Sequence, residues 1–228
     1  MKQYTYLALG DAYTAGISIP PSESFPYQAV QLLRHRYPGF IAPEIIAGRG
    51  WATHELASFI GKTRFLSAYD FVSLQIGSNN QTRGDSTEEF SLYFESLLLH
   101  AIRLAGDRTD KVIVLSIPDW SLTPYGASLR PDRPEMLSVS ARIDDYNRCK
   151  QELCDRYDVR FVDVTADLRN KKDDASLHSE DGLHPSILAY RQWAQEIFRF
   201  IDDWIIRTRS GHQEPTASGS DASPASGE

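Results

Sequence analysis

The chain has 228 residues, of which 41% are hydrophobic and 24% charged, and its formal net charge is -7. This length and composition suffice for one domain with a buried core, and an acidic balance without a basic block argues against a nucleic-acid partner. No apolar run approaches the roughly 20 residues that a membrane span needs, so no membrane span is expected.

The first half of the chain alternates short apolar runs with helical patterns. The third of these runs is nearly all apolar or small, which is typical of a parallel strand covered on both faces. In chain order the pattern predicts a strand at 4–9, a helix after Ser24, a strand at 43–47, a helix carrying Leu56, Phe59 and Ile60 on one side, and a strand at 69–76.

The second half begins with the clearest helix, at residues 87–105. Its apolar residues, Tyr93 among them, recur every three or four positions and predict one buried face, with Thr87 as the expected N-cap. After it the pattern predicts a strand at 111–117, a loop at 118–134, a helix at 136–157, a strand at 159–164, a polar loop at 170–183 and a helix at 187–206.

Strand and helix therefore alternate about five times without an internal repeat. This pattern predicts a three-layer α/β/α sandwich around a mostly parallel five-stranded sheet. Ligands of such sheets bind beyond the carboxyl ends of the strands, so the loops at 10–16, 48–53 and 77–80 are expected to converge. Near the C-terminus the composition shifts to Gly, Ser, Ala and Pro, which predicts a domain at 1–208 and a disordered tail at 209–228.

Two further features bear on cellular context. Cys149 and Cys154 are the only cysteines, and residues five apart on a helix do not share a face well, so two free thiols are expected. The N-terminal residues enter the first strand without a signal-peptide layout, which favours a cytoplasmic protein, although a mature secreted form would look similar.

A candidate acid–base pair lies just before the last helix, in the run Asp-Gly-Leu-His-Pro at 181–185. An Asp three residues before a His can accept a hydrogen bond from the ring Nδ1 and leave Nε2 free as a base. The same spacing is common in solvated loops. His178 extends the spacing by three residues, but without a helix or a fourth ligand no metal site is expected.

Two strand-end segments offer candidate hydrogen-bond donors. The side-chain amide of Asn79 can donate to a developing oxyanion, although Gly and Asn also favour an ordinary turn. Gly48 and Gly50 allow the backbone to approach a ligand closely and turn an N–H towards it.

The run Gly-Asp-Ala-Tyr-Thr-Ala-Gly at 10–16 resembles the first block of the SGNH, or GDSL, hydrolase family. The runs at 50–56, 77–80 and 181–185 resemble later blocks of that family, in the same order, and the resemblance covers most of residues 4–207. It implies an α/β fold and an esterase or lipase that acts on a small ester without a cofactor.

The resemblance also implies roles for single residues. Asp181 would orient His184, which would act as the general base. The oxyanion would be held by the N–H of residue 12, the N–H of Gly50 and the amide of Asn79. Gly50 is preferred to Gly48 because it begins Gly-Trp-Ala-Thr-His-Glu-Leu, which is similar to a run of one bacterial branch.

The sequence departs from the family at two positions. Asn80 stands where the family has Asp, and Ala12 stands where it has the serine nucleophile. Alanine has no hydroxyl to attack a carbonyl, so the chain is expected to be inactive or nearly so. We favour an engineered Ser-to-Ala change, because a chain long freed from catalysis would be expected to lose His184 or Asn79 as well. The alternative is a natural non-catalytic member that binds an acyl or carbohydrate ligand.

Overall fold

The computed structural model describes residues 2–129 and 138–210, and its centre is one five-stranded sheet. All neighbouring strands pair in parallel, in the order β2-β1-β3-β4-β5. With helices on both faces, the predicted three-layer α/β/α sandwich is confirmed. The strands are Tyr6–Gly10 (β1), Glu44–Ala47 (β2), Phe71–Gln75 (β3), Val112–Leu115 (β4) and Arg160–Val162 (β5).

The described residues form α-helices that alternate with these strands. Longer helices cover the sheet, and shorter ones follow the strand ends. They are Ala12–Ala15 (α1), Phe25–Arg36 (α2), Thr53–Ile60 (α3), Ser78–Arg83 (α4), Thr87–Leu104 (α5), Pro124–Leu129 (α6), Val139–Tyr157 (α7), Val164–Asn170 (α8) and Ile187–Ser210 (α9).

The core has two halves, one on each face of the sheet. Successive strand residues point to opposite faces. Leu7 and Leu9 of β1 belong to the half that packs against α3, α5 and α7, whereas Tyr6 and Ala8 belong to the half formed with α2 and α9. All of β1 is therefore buried, which explains its unbroken apolar character.

One segment expected to be a loop contains a helix, and a second unexpected helix lies where no element was predicted. The loop predicted at 118–134 holds a 3₁₀ turn at Trp120–Leu122 and then α6, and its residues 130–137 lie outside the described part of the chain. Helix α8 has no counterpart in the prediction. It buries only Val164 and Thr165, so it carries no apolar periodicity that could announce it.

Helix α5 has a narrower buried face than predicted. Tyr93 is 46% exposed, so its assignment to the core was wrong, while Phe90 and Phe94 are fully buried. The N-cap is Ser86 rather than Thr87, since the Ser86 side chain accepts a hydrogen bond of 3.1 Å from the Glu89 N–H.

The C-terminal helix extends slightly beyond the predicted domain boundary. Residues 209 and 210 are helical, and the rest of the predicted tail, 211–228, lies outside the described residues. Cys149 and Cys154 are both free, as predicted. None of the helices described is long and apolar enough to cross a bilayer.

The sheet register brings three strand-end segments to one edge. Gly10, the last residue of β1, pairs with Ala47 on one side and with Gln75 on the other. Because these strands are parallel and end level with one another, the segments that start at residues 11, 48 and 76 leave the sheet side by side.

Candidate active site

The strand-end segments open onto a cleft of about 360 Å³. Three of the predicted site residues, Ala12, Asn79 and His184, line this cleft. Asp181 is joined to it through His184, and Gly50 is not among the lining residues. The structure therefore gathers four of the five predicted side chains or backbone positions around one cleft.

Ala12 is the first residue of α1, directly after the buried N-cap Asp11. The Asp11 Oδ1 accepts a hydrogen bond of 3.0 Å from the Tyr13 N–H and so holds the turn in which Ala12 lies. Burial raises the pKa of Asp11 to about 7, although the bond from Tyr13 acts in the opposite sense. The Ala12 N–H has no hydrogen-bond partner among the described residues, so it is free to bind a ligand.

His184 and Asp181 form the pair that the spacing predicted. The His184 Nδ1 lies 2.6 Å from Asp181 Oδ2, and the His184 backbone N–H donates to Asp181 Oδ1 at 2.9 Å. Nε2 has no partner among the described residues. His184 is 6% exposed, and its ring packs against Tyr13 at a centroid distance of 5.5 Å. The imidazole is thereby fixed in orientation with one nitrogen available.

Asp181 is a hub of hydrogen bonds. Besides His184, its carboxylate accepts from the Ser18 hydroxyl at 2.5 Å, the Ser179 hydroxyl at 2.8 Å and the Leu183 N–H at 2.8 Å. Partial burial acts to raise the pKa of Asp181, but these bonds outweigh it and hold the pKa well below its usual range. The carboxylate therefore stays charged beside the imidazole at neutral pH.

The two glycines of the second segment have different environments. A Cβ on Gly48 would lie 2.3 Å from the Trp51 indole, so Gly48 is required for packing, whereas Gly50 has φ +76° and open space around it. The Asn79 amide donates to the Trp51 carbonyl at 2.9 Å, which places this segment beside Asn79. The Gly50 N–H has no hydrogen-bond partner among the described residues. Its role as an oxyanion donor stays a prediction.

A comparison with protein families decides which kind of protein this is. A model of the GDSL-like lipase/acylhydrolase family matches residues 8–192. The chain belongs to this family. The resemblance stated from the strand-end motifs is thus confirmed, and the family is one of hydrolases and esterases.

Solved structures share the fold of this GDSL-like protein. The chain is similar to a lipase/acylhydrolase from Enterococcus faecalis, with 19% identity, a TM-score of 0.64, and coverage of 95% of this chain and 100% of that one. It is also similar to a lipolytic protein of the G-D-S-L family from Desulfitobacterium hafniense, with 14% identity, a TM-score of 0.67, and coverage of 87% of this chain and 99% of that one. A third similar structure is a variant of an acetyl xylan esterase from Geobacillus stearothermophilus, with 21% identity, a TM-score of 0.62, and coverage of 88% of this chain and 97% of that one. No curated protein matches the chain.

Asn80, one of the two positions at which this GDSL-like protein departs from the expected family pattern, forms a buried clamp. Its Oδ1 accepts from the Thr53 N–H at 3.0 Å, and its Nδ2 donates to the Thr53 hydroxyl at 2.8 Å and to Asp85 Oδ2 at 2.9 Å. The clamp joins α4 to the first turn of α3 and supports the segment that carries Asn79. An amide suits this position because the Asp85 carboxylate beside it needs a hydrogen-bond donor, which a second carboxylate could not supply.

We therefore expect Asn80→Asp to lower the free energy of unfolding by about 2 kcal/mol, because a second carboxylate would replace the donor that Asp85 uses. Urea unfolding of the purified protein measures this loss. The double variant Asn80→Asp with Asp85→Asn moves the amide to the partner position and should recover most of the stability. If the double variant is no more stable than the single one, the clamp is not what makes Asn necessary.

Lys150 is a charged group under the site that sequence reasoning missed. It is fully buried on α7, and its Nζ donates to the carbonyl oxygens of Ile76 at 3.1 Å and Leu115 at 2.6 Å, at the ends of β3 and β4. Burial lowers the pKa of Lys150 to about 8. The available signal was its spacing, four residues after Tyr146 and three before Leu153, which puts it on the apolar stripe of α7.

Trp120 lines the cleft, whereas Trp51 packs against Phe59 and is not among the cleft-lining residues. The Trp120 indole N–H donates to Gln81 Oε1 at 2.8 Å, which fixes the ring.

Asn147 of α7 fixes the segment between β4 and Trp120. Its side chain accepts a hydrogen bond of 2.7 Å from the Ile117 N–H and donates one of 3.1 Å to the Ile117 carbonyl. Among the residues described, no group of three His, Cys, Asp or Glu side chains is placed to hold a metal ion.

Proposed function

We propose that this fold hydrolyses small carboxylic esters by a Ser-His-Asp mechanism when serine occupies position 12, and that the chain with Ala12 binds such esters without turning them over. One observation carries the proposal. His184, with Nδ1 held by Asp181 and Nε2 unpaired, lines the same cleft as residue 12.

The first step needs a nucleophile and a base. A serine hydroxyl at position 12 would attack the ester carbonyl carbon while its proton passes to Nε2 of His184. Asp181 stabilises the imidazolium that forms and keeps the proton of the neutral ring on Nδ1. The low pKa of Asp181 means that this support is present throughout the neutral range.

The second requirement is stabilisation of the tetrahedral oxyanion. The donors that we expect to hold it are the N–H of residue 12, the N–H of Gly50 and the second hydrogen of the Asn79 amide, whose first hydrogen is used by Trp51. Donors that are already oriented need no rearrangement when the charge develops. His184 then returns its proton to the leaving alkoxide, and a water activated by the same ring releases the acyl group.

An active-site-directed fluorophosphonate probe tests the proposal. We expect it to label Ala12→Ser at position 12 and to leave the Ala12 chain unlabelled. The Ala12 chain is a stringent control, because Ser78 lines the same cleft with a buried hydroxyl that has no partner among the described residues. Labelling of the Ala12 chain at Ser78 would assign the nucleophile to Ser78 and contradict the proposal.

The Asn79 amide should contribute strongly to turnover. In the Ala12→Ser background, Asn79→Ala is expected to lower kcat by roughly 10²- to 10³-fold, because one oxyanion donor is lost. Steady-state kinetics on a short 4-nitrophenyl ester measures this. Asn79→Asp keeps the shape without the donor and should be at least as slow. A variant that raises only KM would show that Asn79 binds substrate but does not stabilise the transition state.

A binding module is the second candidate, favoured by the methyl group of Ala12 in a cleft that still has Asn79 and His184 in its lining. It predicts tight binding of acylated sugars or lipids, measurable by calorimetry, with no turnover in either the Ala12 or the Ala12→Ser form. Hydrolysis by the Ala12→Ser form would decide against it.

A further inference from the structure

The cleft carries a cation that the proposed mechanism does not use. Arg142, in the first turns of α7, lines it together with Ala12 and His184. No carboxylate is found among the cleft-lining residues that the structure describes. The side chains there that accompany Arg142 are polar or apolar, and Trp120, Tyr125, Leu129 and Val139 are among them.

The guanidinium of Arg142 has no ion-pair partner within the described residues. Asp145, three residues along the same helix, would be its natural partner, but its carboxylate is held by Arg148 at 3.0 Å. Tyr146, one helical turn after Arg142, donates its hydroxyl to the Asp85 carbonyl at 2.5 Å and offers no negative charge. Other arginines near the site are paired, as Arg83 is with Glu55 at 2.9 Å and Arg169 with Asp119 at 2.8 Å.

Arg142 is the one arginine or lysine among the described residues that line this cleft. Its planar guanidinium matches a carboxylate or a phosphate with two parallel hydrogen bonds. Val139 and Leu129 line the same wall, and Arg142 itself is exposed, so its guanidinium is accessible to a ligand. The cleft is therefore suited to a ligand that carries an anionic group in addition to its ester.

We propose that Arg142 is the specificity-determining residue of an anion subsite, so that the preferred substrates are esters bearing a carboxylate or phosphate group. This inference deepens the proposed esterase function and rests on it. Arg142 acts on ground-state binding of the substrate, and the ester chemistry stays with His184 and residue 12.

Matched substrates test the charge preference. In the Ala12→Ser background, acid release is followed for monoethyl glutarate and for its terminal carboxamide, which has the same shape without the charge. We expect Arg142→Gln to lower kcat/KM for the charged ester about tenfold, mainly through KM, and to change the carboxamide less than about twofold. Arg142→Glu should lower kcat/KM for the charged ester further and again leave kcat/KM for the carboxamide nearly unchanged.

Two additional comparisons complete the kinetic test. Arg156→Gln removes the same charge from the last turn of the same helix, outside the cleft, where Arg156 pairs with Glu95 at 3.1 Å, and should affect neither ester. A second pair, 1-butyrylglycerol 3-phosphate and the neutral ester monobutyrin, measures the preference for a phosphate group. Comparing this preference with that of the glutarate pair shows whether phosphate or carboxylate is the preferred anion. If Arg142→Gln changes charged and neutral members of both pairs equally, the anion subsite is overturned.

Binding to the Ala12 chain separates this inference from the proposed function. Calorimetry with monoethyl glutarate and its carboxamide needs no turnover. Tighter binding of the charged ester, lost in Arg142→Gln and kept in Arg156→Gln, would support the subsite even if Ala12→Ser proved inactive. Equal binding of both ligands would overturn it even if Ala12→Ser proved to be an esterase.

Discussion

Replacing Ala12 by serine is expected to raise ester hydrolysis on the order of a millionfold over the Ala12 chain, which is about the factor lost when a serine hydrolase loses its nucleophile. The change adds one oxygen atom to a side chain that already lines the cleft beside His184. The Asp11 cap fixes the backbone of this turn through the Tyr13 N–H and does not depend on the side chain at position 12. Hydrolysis of short 4-nitrophenyl esters measures the gain.

The control for this prediction is the double variant Ala12→Ser with His184→Ala. It keeps the new hydroxyl and removes the base, so any activity that remains reports solvent hydrolysis or a contaminant. Equal rates for the single and double variants would remove the main support for the esterase proposal. Thermal unfolding of all three proteins shows whether a low rate reflects lost chemistry or a lost fold.

Asp181→Asn, made in the Ala12→Ser background, is expected to lower kcat by roughly 10⁴-fold. The asparagine oxygen can still accept from the backbone N–H groups of Leu183 and His184, so the loop should keep its shape. Its NH₂ group would face Nδ1, however, and would favour the tautomer with the proton on Nε2. That nitrogen could then no longer accept the proton of the nucleophile.

Ser18→Ala is the matched control for Asp181. It removes a 2.5 Å hydrogen bond to the same carboxylate but leaves the negative charge beside His184. We expect a loss of about tenfold or less, since one of several hydrogen bonds is removed. If Ser18→Ala and Asp181→Asn slowed the reaction equally, Asp181 would be supporting the loop rather than setting the tautomer.

Local sequence was sufficient for several elements because their signals are carried by neighbouring residues. The near-continuous apolar run at 69–76 predicted a strand covered on both faces, and Val72 and Phe71 of β3 indeed pack into opposite halves of the core. The spacing of Asp181 and His184 predicted a contact that needs only one turn of chain. Helix α8 escaped prediction because so little of it is buried.

The sequence by itself determined the family, the parallel α/β architecture and the Asp181–His184 pair, since periodicity and short spacings act within a few residues. Only the tertiary structure decided what distant residues do. Asn80 meets Thr53 across 27 positions, Lys150 meets Ile76 across 74, and Arg142 reaches a cleft whose other walls come from elsewhere in the chain. Such contacts depend on how helices pack on the sheet, which is fixed by the summed burial of the whole core and leaves no local mark in the sequence.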